Sequence, residues 1–326
     1  MTEKIRVGVV GVGNMGRHHA RVYNELPGVE LVGVTDVDEE RAREVATRFD
    51  TRPRDRASLL AAADAVSIVV PTRHHASVGH EAVEAGTHIL VEKPFVVDPA
   101  AGRELLDAAE RAGLVVGVGH VERYNPAVEA LDDVLADTEV LAVAARRQGP
   151  PVDRDSTDSV VFDLMIHDID VALSLADAPL ERVSAVRVPD HQHVVANLEF
   201  EDGLIATLTS SRISQRRVRD LSITAADCRV EVDYMDQSVD IHRHSLPEYV
   251  ATNGDVRYRH ESVIERPTVG TGEPLKNELS AFAEAVREGV PPRTSGEDGL
   301  LAVDVATRIE AALDPARDPV PQVTRA

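Results

Sequence analysis

The chain has 326 residues, 43% apolar and only 3% aromatic with no Trp, so it is long enough for two domains whose cores rest on Val, Leu, Ile and Ala. A formal net charge of −21 repels nucleic acid and anionic membranes, and Cys228, the sole cysteine, excludes an intrachain disulfide and a cysteine-built metal site. No apolar run approaches the ~20 residues of a membrane span, and Met1 leads almost directly into a strand, so a cytoplasmic protein that binds neither membrane nor nucleic acid is expected.

In chain order, Ile5–Val10 reads as a strand, Asn14–Leu26 as a helix, Glu30–Thr35 as a strand and Glu39–Phe49 as a helix. The alternation continues with a continuous apolar strand at Ala65–Val70, a helix at His74–Ala85, a strand at His88–Val91, a helix at Pro99–Ala112 and a strand at Leu114–Val118. Unbroken apolar strands separated by helices predict a doubly wound parallel sheet covered on both faces.

The rhythm changes near residue 122. Asn125–Ala136 is expected to be a helix with Pro126 at its start, Val140–Arg147 a strand, and Val160–Ala176 a helix. Seven strand-like runs then crowd between Arg182 and Ile264, among them a single run at Val256–Ile264, with Glu201-Asp202-Gly203 as a hairpin turn. Two helices, Pro274–Glu288 and Gly296–Leu313, and a proline-bearing tail follow. The expectation is an N-terminal dinucleotide-binding domain over 1–122, and over 123–326 an α+β domain on a large, mostly antiparallel open sheet.

Gly11-Val12-Gly13-Asn14-Met15-Gly16 is a G-x-G-x-x-G run placed between the first strand and the first helix. Gly11 permits the tight turn, Gly13 lets backbone approach a pyrophosphate, and Gly16 lets helix and strand pack closely, while Asn14 and Met15 open the helix whose N–H groups face the phosphate. Asp36 ends the second strand 20 residues after Gly16, where a ribose-binding acid belongs. A carboxylate there accepts from a 2′-hydroxyl and repels a 2′-phosphate, and Val37-Asp38 supply no cation, so the predicted cofactor is NAD. Pro71, Thr72 and His75 follow the third strand at the ligand edge of the sheet and are candidates for the nicotinamide half of the site; capping of a helix by Thr72 is the structural alternative.

Lys93 is one of three lysines against 32 arginines, and it stands at the carboxyl end of the His88–Val91 strand within Glu92-Lys93-Pro94. A compact ammonium at that edge does what a planar guanidinium does not. Glu92 is expected beside the cofactor, and Lys93–Pro94 is a candidate cis bond. Asp163 and His167, four apart in an apolar helical stretch that also carries Asp170, share one face as a candidate base with its orienting group.

The glycine fingerprint, Glu92-Lys93-Pro94 and Asp163-x-x-x-His167-x-x-Asp170 together resemble the Gfo/Idh/MocA family of NAD(P)-dependent sugar and cyclitol dehydrogenases, over essentially the whole chain. The resemblance implies a catalytic triad of Lys93, Asp163 and His167, and a second domain used for dimer or tetramer contacts. Gly119-His120-Val121-Glu122-Arg123-Tyr124-Asn125-Pro126 and Glu273-Pro274-Leu275-Lys276-Asn277-Glu278-Leu279 look like the branch that acts on UDP-linked N-acetyl sugars, including UDP-N-acetylglucosamine 3-dehydrogenases. That implies a sugar or nucleotide-sugar substrate touched by Lys93, Arg123, Tyr124, Asp163 and His167. Arg146, Arg147 and Arg154 suit a diphosphate by bidentate hydrogen bonding, or else balance surface charge. A free sugar or cyclitol dehydrogenase is the same-class alternative, and a cofactor-sensing regulator without chemistry the different-class one. Paired or alternating histidines such as His191-Gln192-His193 lack a third ligand, so no metal is predicted. Excess acid with scarce Lys matches the style of salt-accumulating halophiles and predicts stability that rises with KCl.

Overall fold

The computed structural model describes residues 4–151, 159–188, 192–244, 248–252, 255–259 and 261–313. The first strands and helices are β1 (Ile5–Val10), α1 (Asn14–Glu25), β2 (Val29–Thr35), α2 (Glu39–Arg48), α3 (Arg56–Ala62), β3 (Ala65–Ile68), α4 (His75–Glu84), β4 (His88–Glu92), α5 (Pro99–Arg111) and β5 (Val116–Gly119). The five strands form a parallel sheet in the order β2-β1-β3-β4-β5, so the expected doubly wound architecture is present. Its strands are apolar on both faces because helices cover both. Val7, Val9, Ile68, Ile89 and Val91 have no exposed surface, each contributing about 1.5–3 kcal/mol of burial.

Helix starts follow the capping rules. Asp38, Asp55 and Asp98 accept from the backbone N–H of Arg41, Ser58 and Ala100, and Pro99 opens α5. Asp55 with buried Leu59 and Leu60 explains α3, a short helix outside the expected elements. Helix α1 differs: its cap residue is Gly13, which has no side chain to occupy the first-turn N–H groups.

The remaining elements are α6 (Pro126–Glu129), α7 (Leu131–Val134), β6 (Val140–Gln148), α8 (Ile166–Ser174), β7 (Leu180–Arg187), β8 (His193–Phe200), β9 (Ile205–Ser211), β10 (Val218–Ala225), β11 (Arg229–Asp233), β12 (Ser238–His244), β13 (Glu248–Thr252), β14 (Asp255–Arg259), β15 (Ser262–Glu265), α9 (Pro274–Glu288) and α10 (Gly296–Leu313). Eight of these strands form a sheet in the order β15-β12-β11-β10-β6-β9-β8-β7. Within it β6 pairs with β9 in parallel and with β10 antiparallel. Two expectations need correction. The helix foreseen over Asn125–Ala136 is two short helices, and the strand foreseen over Val256–Ile264 is divided between β14, in a two-stranded ribbon with β13, and β15, at the edge of the large sheet.

The chain folds into two compact units whose limits depart from a single boundary near 122. Among the described residues one lies within 4–136, 232–239 and 266–303, the other within 137–231, 240–265 and 304–313. The first unit recruits α9 because that helix is amphipathic: Leu275, Leu279, Phe282 and Val286 complete the core that holds Val7, Val22, Tyr23 and Val34. In the second unit Cys228 is buried in the turn between β10 and β11, and burial pushes its thiol pKa up.

Candidate active site

The glycine loop is shaped for a ligand rather than for packing alone. Gly11 adopts φ 89°, and a Cβ at Gly16 would lie 1.9 Å from the Gly11 carbonyl oxygen, so both positions are closed to other residues. At Gly13 a Cβ would meet nothing within 4 Å. Open space over Gly13, beside the uncapped start of α1 where Asn14 and Met15 lie, fits a pyrophosphate. A cavity of about 530 Å³ runs past Gly11, Asp36 and Pro71. Asp36 stands at its ribose end with its side chain only 5% exposed. Its Oδ2 accepts from the Val12 N–H at 2.7 Å, and its Oδ1 from the Asp38 N–H at 2.9 Å, which aims the carboxylate before any ligand arrives. Arg41, Arg56 and Arg73 also line the cavity, unforeseen from the sequence; Arg41 is paired with Asp36 and Asp38, and Arg56 with Glu81. These residues fit the NAD expected from the fingerprint.

Around β4 the structure reassigns two residues. His75 does not line the cavity; its neighbour His74 does. The His75 ring is buried among three carbonyl oxygens, with Nε2 2.8 Å from Val70 O, and Nδ1 2.9 Å from Pro94 O and 3.2 Å from Phe95 O. Burial pulls its pKa down, against the opposing pull of those oxygens. Thr72 begins a 3₁₀ turn from which its carbonyl accepts the His75 N–H. Glu92 is likewise committed inside the protein: Oε1 meets His19 Nε2 at 2.9 Å, and Oε2 accepts the Lys93 N–H at 3.1 Å. Burial pushes the Glu92 carboxyl up; the His19 hydrogen bond and the His19 and Lys93 charges more than reverse this, leaving its pKa below the usual carboxylate value. Lys93 follows at the strand end, half-buried, and the Lys93–Pro94 bond is cis.

In the second unit the expected single helix over Val160–Ala176 opens with a π-helical turn, Val161–Met165, before α8 begins. The Ile166 N–H reaches back five residues to Val161 O, so the turn is wider than an α-turn. The i,i+4 alignment of Asp163 with His167 on an α-helical face therefore does not carry over unchanged. Asp163 forms an ion pair with Arg212, just past β9, a partner that no sequence pattern announces. His167 is half-buried, while Asp168 and Asp170 are buried.

The arginine expectation is overturned in part. Neighbouring strand residues point to opposite faces, so Arg146 is exposed and Arg147 is buried. Arg146 donates from Nε to Asp220 at 2.9 Å across the β6–β10 pair. Arg147, 3% exposed, grips the equally buried Asp168 at 2.9 Å. One guanidinium balances charge and the other fastens α8 to the sheet, so the two do not form one diphosphate cradle. Arg154 lies outside the described residues. In the first unit Arg123 is half-buried and Tyr124 is 2% exposed. The Tyr124 hydroxyl hydrogen-bonds to Thr294 Oγ1 at 3.1 Å, and burial raises its pKa to about 12. Tyr124 is a core residue here, not a substrate contact.

A glycine-lined helix start and a ribose carboxylate on the carboxyl edge of a parallel sheet define a nicotinamide-dependent oxidoreductase. Residues 5–120 match the family described as the oxidoreductase family, NAD-binding Rossmann fold, and residues 138–233 match the GFO/IDH/MocA C-terminal domain. The UDP-N-acetylglucosamine 3-dehydrogenase of Acidithiobacillus ferrooxidans is 31% identical, covering 95% of this chain and 97% of its own. The inositol 2-dehydrogenase of Rhizobium meliloti is 28% identical over 93% of this chain and 94% of its own. A solved structure of the Acidithiobacillus ferrooxidans enzyme superposes with a TM-score of 0.87 at 31% identity, covering 95% of this chain and 97% of that one. The chain belongs to the GFO/IDH/MocA family and is an NAD-dependent dehydrogenase of the sugar and polyol class.

Proposed function

We propose that the protein oxidises a ring hydroxyl of a UDP-N-acetylhexosamine, at C3 of UDP-N-acetylglucosamine or its uronate, with NAD as oxidant. The observation that carries this reading is the likeness to a UDP-N-acetylglucosamine 3-dehydrogenase over 95% of the chain. Lys93, Asp163 and His167 are the family's triad in this sequence. His167 takes the proton of the reacting hydroxyl. Lys93 donates to that oxygen and stabilises the charge that develops on it. Asp163, steadied by Arg212, orients the substrate or the base. NAD, when bound, supplies the acceptor for the hydride that leaves the same carbon. The retained triad favours this reading over a cofactor-sensing regulator.

The engagement of Arg146 by Asp220 and of Arg147 by Asp168 favours a second reading, oxidation of an uncharged sugar or cyclitol, because it removes two arginines from phosphate binding. NADH formation at 340 nm decides between them, read across UDP-N-acetylglucosamine, its uronate, N-acetylglucosamine and myo-inositol in molar KCl. A UDP-sugar with a kcat/KM at least ten times that of the free sugars supports the first reading; the reverse order establishes the second. Activity as a homodimer or homotetramer, checked by light scattering, completes the proposal.

A further inference from the structure

Glu92 is gripped from one side by a residue that neither the cofactor fingerprint nor the triad includes. His19 sits on α1, one turn past the glycine loop, with 1% of its surface exposed. Its Nε2 lies 2.9 Å from Glu92 Oε1. A carboxylate only accepts, so the proton of this hydrogen bond is on His19 Nε2; Nδ1 is buried with no hydrogen-bond partner. The Tyr23 ring, one helical turn on, meets the imidazole edge-on at 6.4 Å and fixes its plane. On the far side the Glu92 carboxylate rests on backbone: a Cβ on Gly119 would come within 3.1 Å of Oε2. The carboxylate is therefore held on three sides, by His19, by Gly119 and by the Lys93 N–H at 3.1 Å.

We propose that His19 is a positioning residue for Lys93, acting through Glu92. His19 holds one carboxylate oxygen so that the other fixes the backbone of Lys93 and places a negative charge beside its ammonium. Without His19 one oxygen of a half-buried carboxylate loses its donor, and the group turns away to find water or another donor. Lys93 then loses its anchor at the residue where the chain leaves β4. The proposal rests on Lys93 being the reacting lysine.

The test compares His19→Leu, His19→Gln, Glu92→Gln and the His19→Leu/Glu92→Gln pair, with Lys93→Met as control. The Gln amide reaches the position of Nε2 and still donates to Glu92. With UDP-N-acetylglucosamine, kcat of His19→Leu should fall about 10- to 100-fold, the cost of displacing a catalytic group by about 1 Å. KM for the sugar should stay within about threefold, as for a group that contributes to the transition state alone. His19→Gln should recover most of kcat. Adding His19→Leu to Glu92→Gln should cost nothing further, since two residues acting in series are not additive. Amide exchange of the segment 90–96, read by mass spectrometry without substrate, should quicken in His19→Leu and return to the parent rate in His19→Gln.

A His19→Leu enzyme with parental kcat or parental amide exchange overturns the proposal. So does an equal loss in both Glu92 backgrounds, which marks a merely structural role. An inactive Lys93→Met beside a fully active His19→Leu defeats this inference alone; a fully active Lys93→Met defeats the assignment of Lys93 itself.

Discussion

Lys93→Met removes the proposed donor to the reacting oxygen while leaving the glycine loop and Asp36 untouched. Turnover should fall by about 10²–10⁴-fold, the range of a lost acid or electrostatic group, with NADH affinity, read by nicotinamide fluorescence, unchanged. Glu92 carries a second prediction. Its pKa is depressed in the folded protein, so its contribution to stability is complete above the unfolded carboxyl value of about 4.3 and is lost as pH falls through the lower folded value. The urea midpoint of Glu92→Gln should therefore lie below that of the parent at pH 7 and approach it below about pH 4, under the unfolded value. A gap that is constant with pH would show that the carboxylate is not the stabilising form. The sequence pointed to Lys93, Asp36 and the three glycines because their chemistry is local: a turn, a strand end, a helix start. It did not reveal His19 as the partner of Glu92 or Arg212 as the partner of Asp163, 73 and 49 residues away, because long-range pairing leaves no periodicity in one sequence.

At the scale of elements, the segment that carries Asp163 and His167 is set by its π-turn and by the Arg147–Asp168 ion pair behind it. Extra width in a helix commonly marks a functional position, and here it falls on the motif itself. The buried pair fixes the rotation of α8, one residue from His167. Arg147→Ala takes the guanidinium from a buried carboxylate and should cost about 3–5 kcal/mol of unfolding free energy, measured by urea melts. Replacing both residues with Met and Leu should restore much of that stability. The apolar pattern of 160–176 announced a helix, and it does form one, but nothing in that pattern distinguishes a π-turn from an α-turn. The same limit applies to β6, where strand alternation sends two adjacent arginines to opposite faces although their adjacency in sequence suggests one cluster. Helix starts are more readable: α2 begins at Glu39, α5 at Pro99 and α6 at Pro126, as the apolar pattern and Pro126 place them.

For the whole molecule, the order of strands and helices made the parallel sheet and the large mixed sheet foreseeable, whereas the return of α9 to the first unit was not, since an amphipathic face does not name the core it joins. A net charge of −21 repels itself in dilute buffer, and screening shortens from about 10 Å at 0.1 M salt to about 3 Å at 1 M. The melting temperature should climb between 0.1 and 3 M KCl; a flat or falling curve would remove salt adaptation as the meaning of the acidic, lysine-poor composition. The solitary cysteine offers a way to watch such changes. Cys228 is buried beside the turn that joins β10 to β11, and a protonated, enclosed thiol is a poor nucleophile. A maleimide or disulfide reagent therefore modifies the chain only when that part of the second unit opens. With no other thiol to compete, the labelling rate is a clock for local opening, and it counts how often the large sheet parts at one known place.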